Sequence, residues 1–266
     1  MAANRAPVPA ELACADAKSP CLIPAFLTSD PPLKQVVSHT IEAGIRGVVK
    51  LPLHDERIEW GLGFFRTLTS DDIINGYSTL IGRSFLQNGG DTLRQGIEAK
   101  FNYRDDKWLL YANYNYVDAT FQSVLTLNSP NNPLNPTPGS NFATQVRPGA
   151  LLPGIPAHKF KAGFDYQLMP EWKVGAVLLA ASNQVFFGDE ANQNARLPGY
   201  ATVNVHTSYD VTKSVQLYGI FTNILDKHYA THGTYFDTAS ASGFSDPRTI
   251  VPAQPFSAYG GVKVHF

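Results

Sequence analysis

The chain has 266 residues with 21 basic and 22 acidic side chains, a net charge of -1 that offers no electrostatic footprint for a nucleic acid. Only 16% of residues are charged and 12% are aromatic, with 21 Gly and 19 Pro. A soluble domain averages roughly 25% charged, so this balance favours an all-β protein rich in turns. A mean hydropathy of -0.14 is too polar for a bundle of membrane helices. The longest apolar run, about 174–181, falls short of the roughly 20 residues that a spanning helix needs.

The N-terminus, Met1-Ala-Ala-Asn-Arg-Ala-Pro-Val-Pro, has neither an apolar core nor a small-residue cleavage site, so it does not read as a signal peptide. Residues 1–34 are polar and Pro-containing and hold both cysteines, Cys14 and Cys21. Their spacing fits no common zinc pattern, and no His lies close by. A disulfide closing a small loop is the first reading and two free thiols the second. A disulfide implies an oxidising compartment such as the periplasm or the cell surface.

From residue 35 the hydrophobic period is two. Ile41, Ala43 and Ile45 oppose Glu42, Gly44 and Arg46; Ile97, Ala99, Phe101 and Tyr103 oppose Gly96, Glu98, Lys100 and Asn102. Phe160, Ala162, Phe164 and Tyr166 then oppose Lys161, Gly163 and Asp165, and Ala201, Val203, Val205 and Tyr209 oppose Thr202, Asn204, His206 and Ser208. At the C-terminus, Phe256, Ala258, Gly260, Val262, Val264 and Phe266 share a face opposite Ser257, Tyr259, Gly261, Lys263 and His265. Successive strand side chains point to opposite sides, so each segment has one greasy and one polar face. The spacing predicts about nine strands, at about 35–49, 57–74, 84–104, 107–123, 157–168, 171–187, 199–210, 213–229 and 254–266.

The connections alternate in length. Arg104–Lys107, Leu168–Glu171 and Asp210–Lys213 read as tight turns, whereas about 75–83, 124–156, 188–198 and 230–253 are long polar loops. Short turns at one end and long loops at the other are the habit of outer-membrane barrels. Trp60, Trp108, Tyr114, Tyr116, Tyr166, Trp172, Tyr209 and Phe266 are then expected near the two membrane interfaces, where amphipathic rings are favoured. A soluble β-sandwich, for example a carbohydrate-binding one, also alternates polar and apolar residues, but its loops are usually short at both ends.

Several segments carry a family resemblance. Asn88-Gly-Gly-Asp-Thr-Leu-Arg-Gln-Gly-Ile-Glu-Ala99 resembles the N-x-G-x-x-x-x-x-G-x-E strand entry of TonB-dependent receptors, and Leu62–Ile73 resembles the strand before it, which ends in an Asp-Ile pair. Thr222-Asn-Ile-Leu-Asp-Lys-His-Tyr229 is similar to the N-L-F-D-K-x-Y stretch of the penultimate strand, with Ile224-Leu225 in place of Leu-Phe. Val262-Lys-Val-His-Phe266 is similar to the last strand with its terminal aromatic. Asn4–Leu12 resembles an R-A-P-x-x-x-E-L segment outside the membrane, and Pro32–Lys34 with Thr40–Gly44 resembles the strand that follows.

The resemblance implies an antiparallel transmembrane β-barrel segment, about nine strands of a barrel of about 22 that encloses an N-terminal plug. Residues 1–34 would be an extracellular-loop segment and 35–266 the C-terminal part of the barrel. A truncated or split gene is the expectation, since the plug and its TonB-contacting peptide are not in this sequence. The implied function is energy-coupled uptake of a ferric siderophore or a similarly large, scarce nutrient across the outer membrane. The implied partners are outer-membrane lipid, the TonB complex through the plug, a small-molecule ligand and the barrel-assembly machinery, the last reading Phe266 with Val264 and Val262. A stand-alone porin or adhesin barrel is the alternative; it should close with an even strand number and carry its own signal peptide.

Glu42, Arg46, Glu98, Lys100, Lys161 and Asp165 are expected to face the plug or a wet lumen, and the loops at 124–156 and 230–253 are candidate ligand surfaces. His39, His54, His158, His206, His228, His232 and His265 are scattered without metal-ligand spacing. His228 and His232 are expected on one strand, pointing the same way without a third ligand. No phosphate loop or nucleophile elbow occurs, and neither catalysis nor a cofactor is expected.

Overall fold

The computed structural model describes residues 2–8, 33–51, 56–77, 84–135, 141–236 and 245–265. These residues form strands and turns with no helix. In chain order the strands are β1 (Ala2–Arg5), β2 (Val36–Lys50), β3 (Arg57–Ser70), β4 (Ile73–Tyr77), β5 (Ser84–Asn88), β6 (Thr92–Arg104), β7 (Trp108–Phe121), β8 (Leu125–Asn128), β9 (Ala143–Val146), β10 (His158–Met169), β11 (Trp172–Ala181), β12 (Tyr200–Thr212), β13 (Val215–Thr222), β14 (Ala230–Tyr235), β15 (Arg248–Pro252) and β16 (Ser257–Val264).

Ten of them make one antiparallel sheet in the order β1-β2-β3-β6-β7-β10-β11-β12-β13-β16. The other six pair as three hairpins, β4 with β5, β8 with β9 and β14 with β15, all at the long-loop end. Each of the nine stretches expected to be strand contributes a strand to this sheet, several of them shorter than expected. The tenth, β1, falls in the segment expected to be loop and pairs Ala2–Arg5 with His39–Val36.

The alternation sorts side chains as the sequence requires. Along one face the paired residues run Ile45, Leu62, Ala99, Tyr114, Phe160, Ala180 and Ala201. Ile41 is 69% exposed, Ile45 62% and Val262 61%. Among the described residues no second sheet lies on this face, which excludes the sandwich. Apolar side chains left open over a whole sheet are stable against lipid, not water.

Trp108 opposes Tyr166 with rings 4.3 Å apart, and Trp172 opposes Tyr209, forming an aromatic row beside the tight turns. Tyr116 sits eight residues further along β7, its ring tilted against that of His158 at 5.1 Å. Eight residues span about 27 Å along a strand, or about 20 Å along the normal at a tilt near 40°, close to the height of a barrel's apolar band.

The buried apolar residues lie at or beyond the loop ends of the strands. Ala119, Phe121, Leu127, Val146 and Leu152 form one cluster, and Phe186, Leu197, Ala230 and Tyr235 another. A single-layer wall has no interior, so its core sits in the cap. This corrects the reading of 124–156 and 230–253 as plain loops, because β8–β9 and β14–β15 pair within them.

The expected strands 57–74 and 84–104 each break, at Asp71 (φ 52°) and at Gly90 (φ 75°), where a left-handed residue redirects the chain from wall to hairpin. Strand 171–187 stops at Ala181 and strand 213–229 at Thr222, before the turn at Asn223 (φ 51°).

At the opposite end, Asp105 closes the β6–β7 turn by accepting from the backbone N–H groups of Lys107 at 2.7 Å and Trp108 at 2.6 Å. The bond from Trp108, then those from the Tyr103 hydroxyl and Lys107, hold its carboxyl below the usual carboxylate range. Cys14, Cys21, His54 and Phe266 lie outside the described residues. Val262 and Val264 sit on the apolar face of β16, opposite Leu217 and Val215.

Candidate functional site

The polar face gathers all six charged residues that the sequence placed there. Arg46, Gly61, Lys100, Asn113 and Lys161 lie side by side in one row across β2, β3, β6, β7 and β10. The adjacent row is Gly44, Gly63, Glu98, Asn115 and Lys159. Glu42 lies one row further toward the loops, and Asp165 lies toward the turns, bonded to His206 at 2.6 Å.

These rows form connected hollows. One of about 510 Å³ is lined by Arg46, Gly61, Gly63, Glu98, Lys100 and Asn113, among others. A second, of about 560 Å³, opens under the loops and is lined by Asn113, Asn115, Lys159, Lys161, Gln184 and Tyr200, among others. Asn113 and Asn115 belong to both. A third, of about 490 Å³, carries Glu42 and Glu98 over Gly44 and Gly63. The wall therefore presents acid toward the loops and cation beside it, in a polar setting open to water.

The quoted motifs build the frame around this face. Asn88 donates to the carbonyls of Asp71 at 2.7 Å and Lys34 at 3.2 Å and accepts from the Lys34 N–H at 2.8 Å. Thr92, fully buried, donates to Asp72 at 2.7 Å, and Arg94 pairs with the same carboxylate oxygen at 3.0 Å. At Gly96 a Cβ would stand 1.9 Å from the Tyr116 carbonyl oxygen, so only glycine lets β6 and β7 approach there.

In the second motif Asn223 is buried and left-handed. It donates to the carbonyls of Lys227 at 3.0 Å and Gln254 at 3.2 Å and accepts from the Lys227 N–H at 2.9 Å. Asp226 accepts from the Phe256 N–H at 2.9 Å, tying the turn to the last strand. The sequence marked these positions as motif but gave no signal of which atoms they bind.

The cap holds a polar cluster that the sequence did not reveal. Asp189 accepts from the backbone N–H groups of Gln193 and Asn194, each at 3.0 Å, and from the Asn194 side chain at 2.9 Å. Asn192 clips Leu151 with two bonds, of 2.7 and 3.0 Å, and Asn194 donates to Asn132 at 3.0 Å. Glu190, 4% exposed, accepts a bond from the Gly188 N–H at 3.0 Å, and its Oε2 has no partner among the described residues. Burial pushes its carboxyl up to about 7.

His228 lies in the turn before β14, with Nδ1 beside the Asp226 carbonyl, while His232 stacks on Phe187 at 5.0 Å; the two do not share a strand. Among the described residues no three His, Cys, Asp or Glu side chains converge as a metal site.

A single two-faced antiparallel wall with tight turns at one end and hairpin loops at the other defines a membrane β-barrel protein. The chain belongs to the TonB dependent receptor-like β-barrel family, which matches residues 3–224. It is 27% identical over 194 residues to the metal-pseudopaline receptor CntO of Pseudomonas aeruginosa (strain UCBPP-PA14), covering 70% of this chain and 24% of that receptor. Its fold matches the siderophore receptor PiuA of Acinetobacter baumannii with a TM-score of 0.62 at 22% identity, over 86% of this chain and 28% of that one. It also matches the ferric-catecholate import receptor Fiu of E. coli K12 with a TM-score of 0.58 at 18% identity, over 88% and 28%. The chain thus spans about a quarter of the length of the curated relative.

Proposed function

We propose that this chain forms the C-terminal part of the barrel wall of a TonB-dependent receptor in the outer membrane, importing a ferric siderophore or another metal chelate. The observation that carries the reading is the ten-stranded sheet with one continuous apolar and one continuous polar face. Membership of the receptor family and the names of the relatives support transport over catalysis.

The free edges point the same way. Beyond His39, β2 has no neighbour on its outer side among the described residues, and β16 has none beyond β13. In lipid every backbone N–H and C=O must be paired, so this wall works only when further strands close it. On this reading the lumen holds a plug that contacts the TonB complex, and residues 1–34 lie outside the membrane with Cys14 and Cys21 bridged. Phe266, with Val264 and Val262, is presented to the barrel-assembly machinery, and the apolar face meets outer-membrane lipid.

Deleting the gene in its host and following radiolabelled metal supplied as different chelates tests the reading. Loss of uptake of one chelate, reproduced by collapsing the inner-membrane proton gradient, is expected. Unchanged uptake of every iron and transition-metal chelate offered would overturn it.

A further inference from the structure

Most glycines on the polar face are roofed by a side chain from the neighbouring strand. A Cβ at Gly96 would meet the ring of Phe65, one at Gly163 the ring of Tyr111, one at Gly175 the imidazole of His206, and one at Gly261 the ring of Tyr218, each within 3.0 Å. Gly61 and Gly63 differ. A Cβ at Gly61 would find its nearest neighbours at 3.8 Å, and one at Gly63 nothing within 4 Å. Neither has a left-handed φ. Glycine inside a strand sacrifices packing and chain entropy, and here neither backbone geometry nor a neighbour demands it. What the two glycines leave is the floor of the 510 Å³ hollow.

The row through Gly61 sets a cation on each side of that floor. Arg46 opposes Gly61 from β2 and Lys100 opposes it from β6. Strands stand about 4.8 Å apart, so the two Cα atoms are about 10 Å apart with Gly61 midway, within reach of both long side chains. Among the described residues neither cation has a hydrogen-bonding or ion-pairing partner. Glu98 and Glu42 lie toward the loops over Gly63 and Gly44, so an anion is drawn to the Gly61 row and repelled from the next. Asn113, beside Lys100 in the same row, adds an amide donor.

We infer that the hollow over Gly61 binds a carboxylate, clamped between the Arg46 guanidinium and the Lys100 ammonium with the glycine backbone beneath it. Charge-assisted bonds from two cations to one carboxylate are the strong pairing that such a geometry offers. The inference rests on this face being the wet side of a barrel wall. The carboxylate has two available sources: a free ligand in the lumen, or an Asp or Glu side chain of the polypeptide that fills it.

The protein is purified from outer membranes in detergent, titrated calorimetrically with succinate, and melted without it. The variants are Arg46→Gln, Lys100→Gln, Gly61→Val and the milder Gly61→Ala, whose added Cβ touches only ordinary contacts. With a free ligand, the wild type binds succinate saturably, each charge removal and Gly61→Val weaken binding at least about tenfold, and the melting temperature of Gly61→Val is unchanged or higher. With an internal carboxylate, succinate gives no heat, and Arg46→Gln, Lys100→Gln and Gly61→Val all lower the melting temperature. Succinate binding indifferent to Gly61→Val and Arg46→Gln overturns the inference. So does the absence of both binding and any melting shift. None of these readouts involves uptake, so failure here is separable from failure of the transport reading.

Discussion

Replacing Glu190 by glutamine should make the cap more stable in alkali and nearly blind to pH. The carboxyl is 4% exposed and its oxygen Oε2 has no partner among the described residues, so ionising it places a poorly compensated charge in a desolvated setting. Its folded value is about 7 against 4.5 for an ordinary glutamate. Between those values the unfolded or opened cap has already released the proton that the closed cap still holds, so stability falls as pH rises. Below about 4.5 the carboxyl is neutral in both states and no penalty exists. Above about 7 the penalty is complete, and at about 1.4 kcal/mol per unit it reaches about 3 kcal/mol, roughly three-hundredfold in the opening equilibrium.

Hydrogen exchange of the 186–197 segment in the membrane-embedded protein, corrected for intrinsic rates, reads this directly. Wild-type protection should fall steeply from pH 5 to pH 8, while Glu190→Gln keeps its protection throughout. The amide can still accept from Gly188. Equal loss of protection in both proteins would refute the reasoning, because the pH response would then come from another group.

Other outcomes follow from the same contacts. Gly96→Ala brings a Cβ to 1.9 Å from the Tyr116 carbonyl oxygen and should cost about 1–3 kcal/mol by forcing β6 and β7 apart, seen as a lower unfolding temperature on heated gels. Asn223→Ala removes the acceptor for the Lys227 N–H and the donor to two carbonyls. It also puts alanine at φ 51°, for a combined cost of about 2–4 kcal/mol in denaturant titrations. Deleting Phe266 should reduce the amount inserted into outer membranes, read by fractionation and immunoblot; normal insertion would refute its recognition by the assembly machinery.

The wall was legible because its physics is local. A side chain at every second residue must suit lipid, and that requirement writes itself into Ile97–Tyr103 or Ser257–Val264 without reference to the rest of the fold. The turn ends were legible for the same reason, since Asp105 and Thr212 organise their turns through neighbours two or three residues away.

The cap was not legible. Asp189, Asn192 and Glu190 sit in a stretch that reads as polar loop, and the cluster is completed by Leu151 and Asn132 arriving from distant parts of the chain. Strand ends were overrun where a left-handed Asp71 or Asn223 ends the wall, because Asp and Asn at those positions do not by themselves forbid a strand. The hollow over Gly61 was half visible. Arg46 and Lys100 were placed on the polar face, but their meeting across Gly61 depends on the register between three strands.

The central claim is that one face of this sheet meets lipid and the other water. Single cysteines placed in turn from 97 to 102 on β6, in the protein held in its own outer membrane, test it most directly with a nitroxide probe and two relaxing agents. Positions 97, 99 and 101 should be reached by oxygen dissolved in lipid, and positions 98, 100 and 102 by a water-soluble paramagnetic complex, in strict alternation. Equal access of both agents at all six positions, or shielding of 97, 99 and 101 from both, would contradict the account.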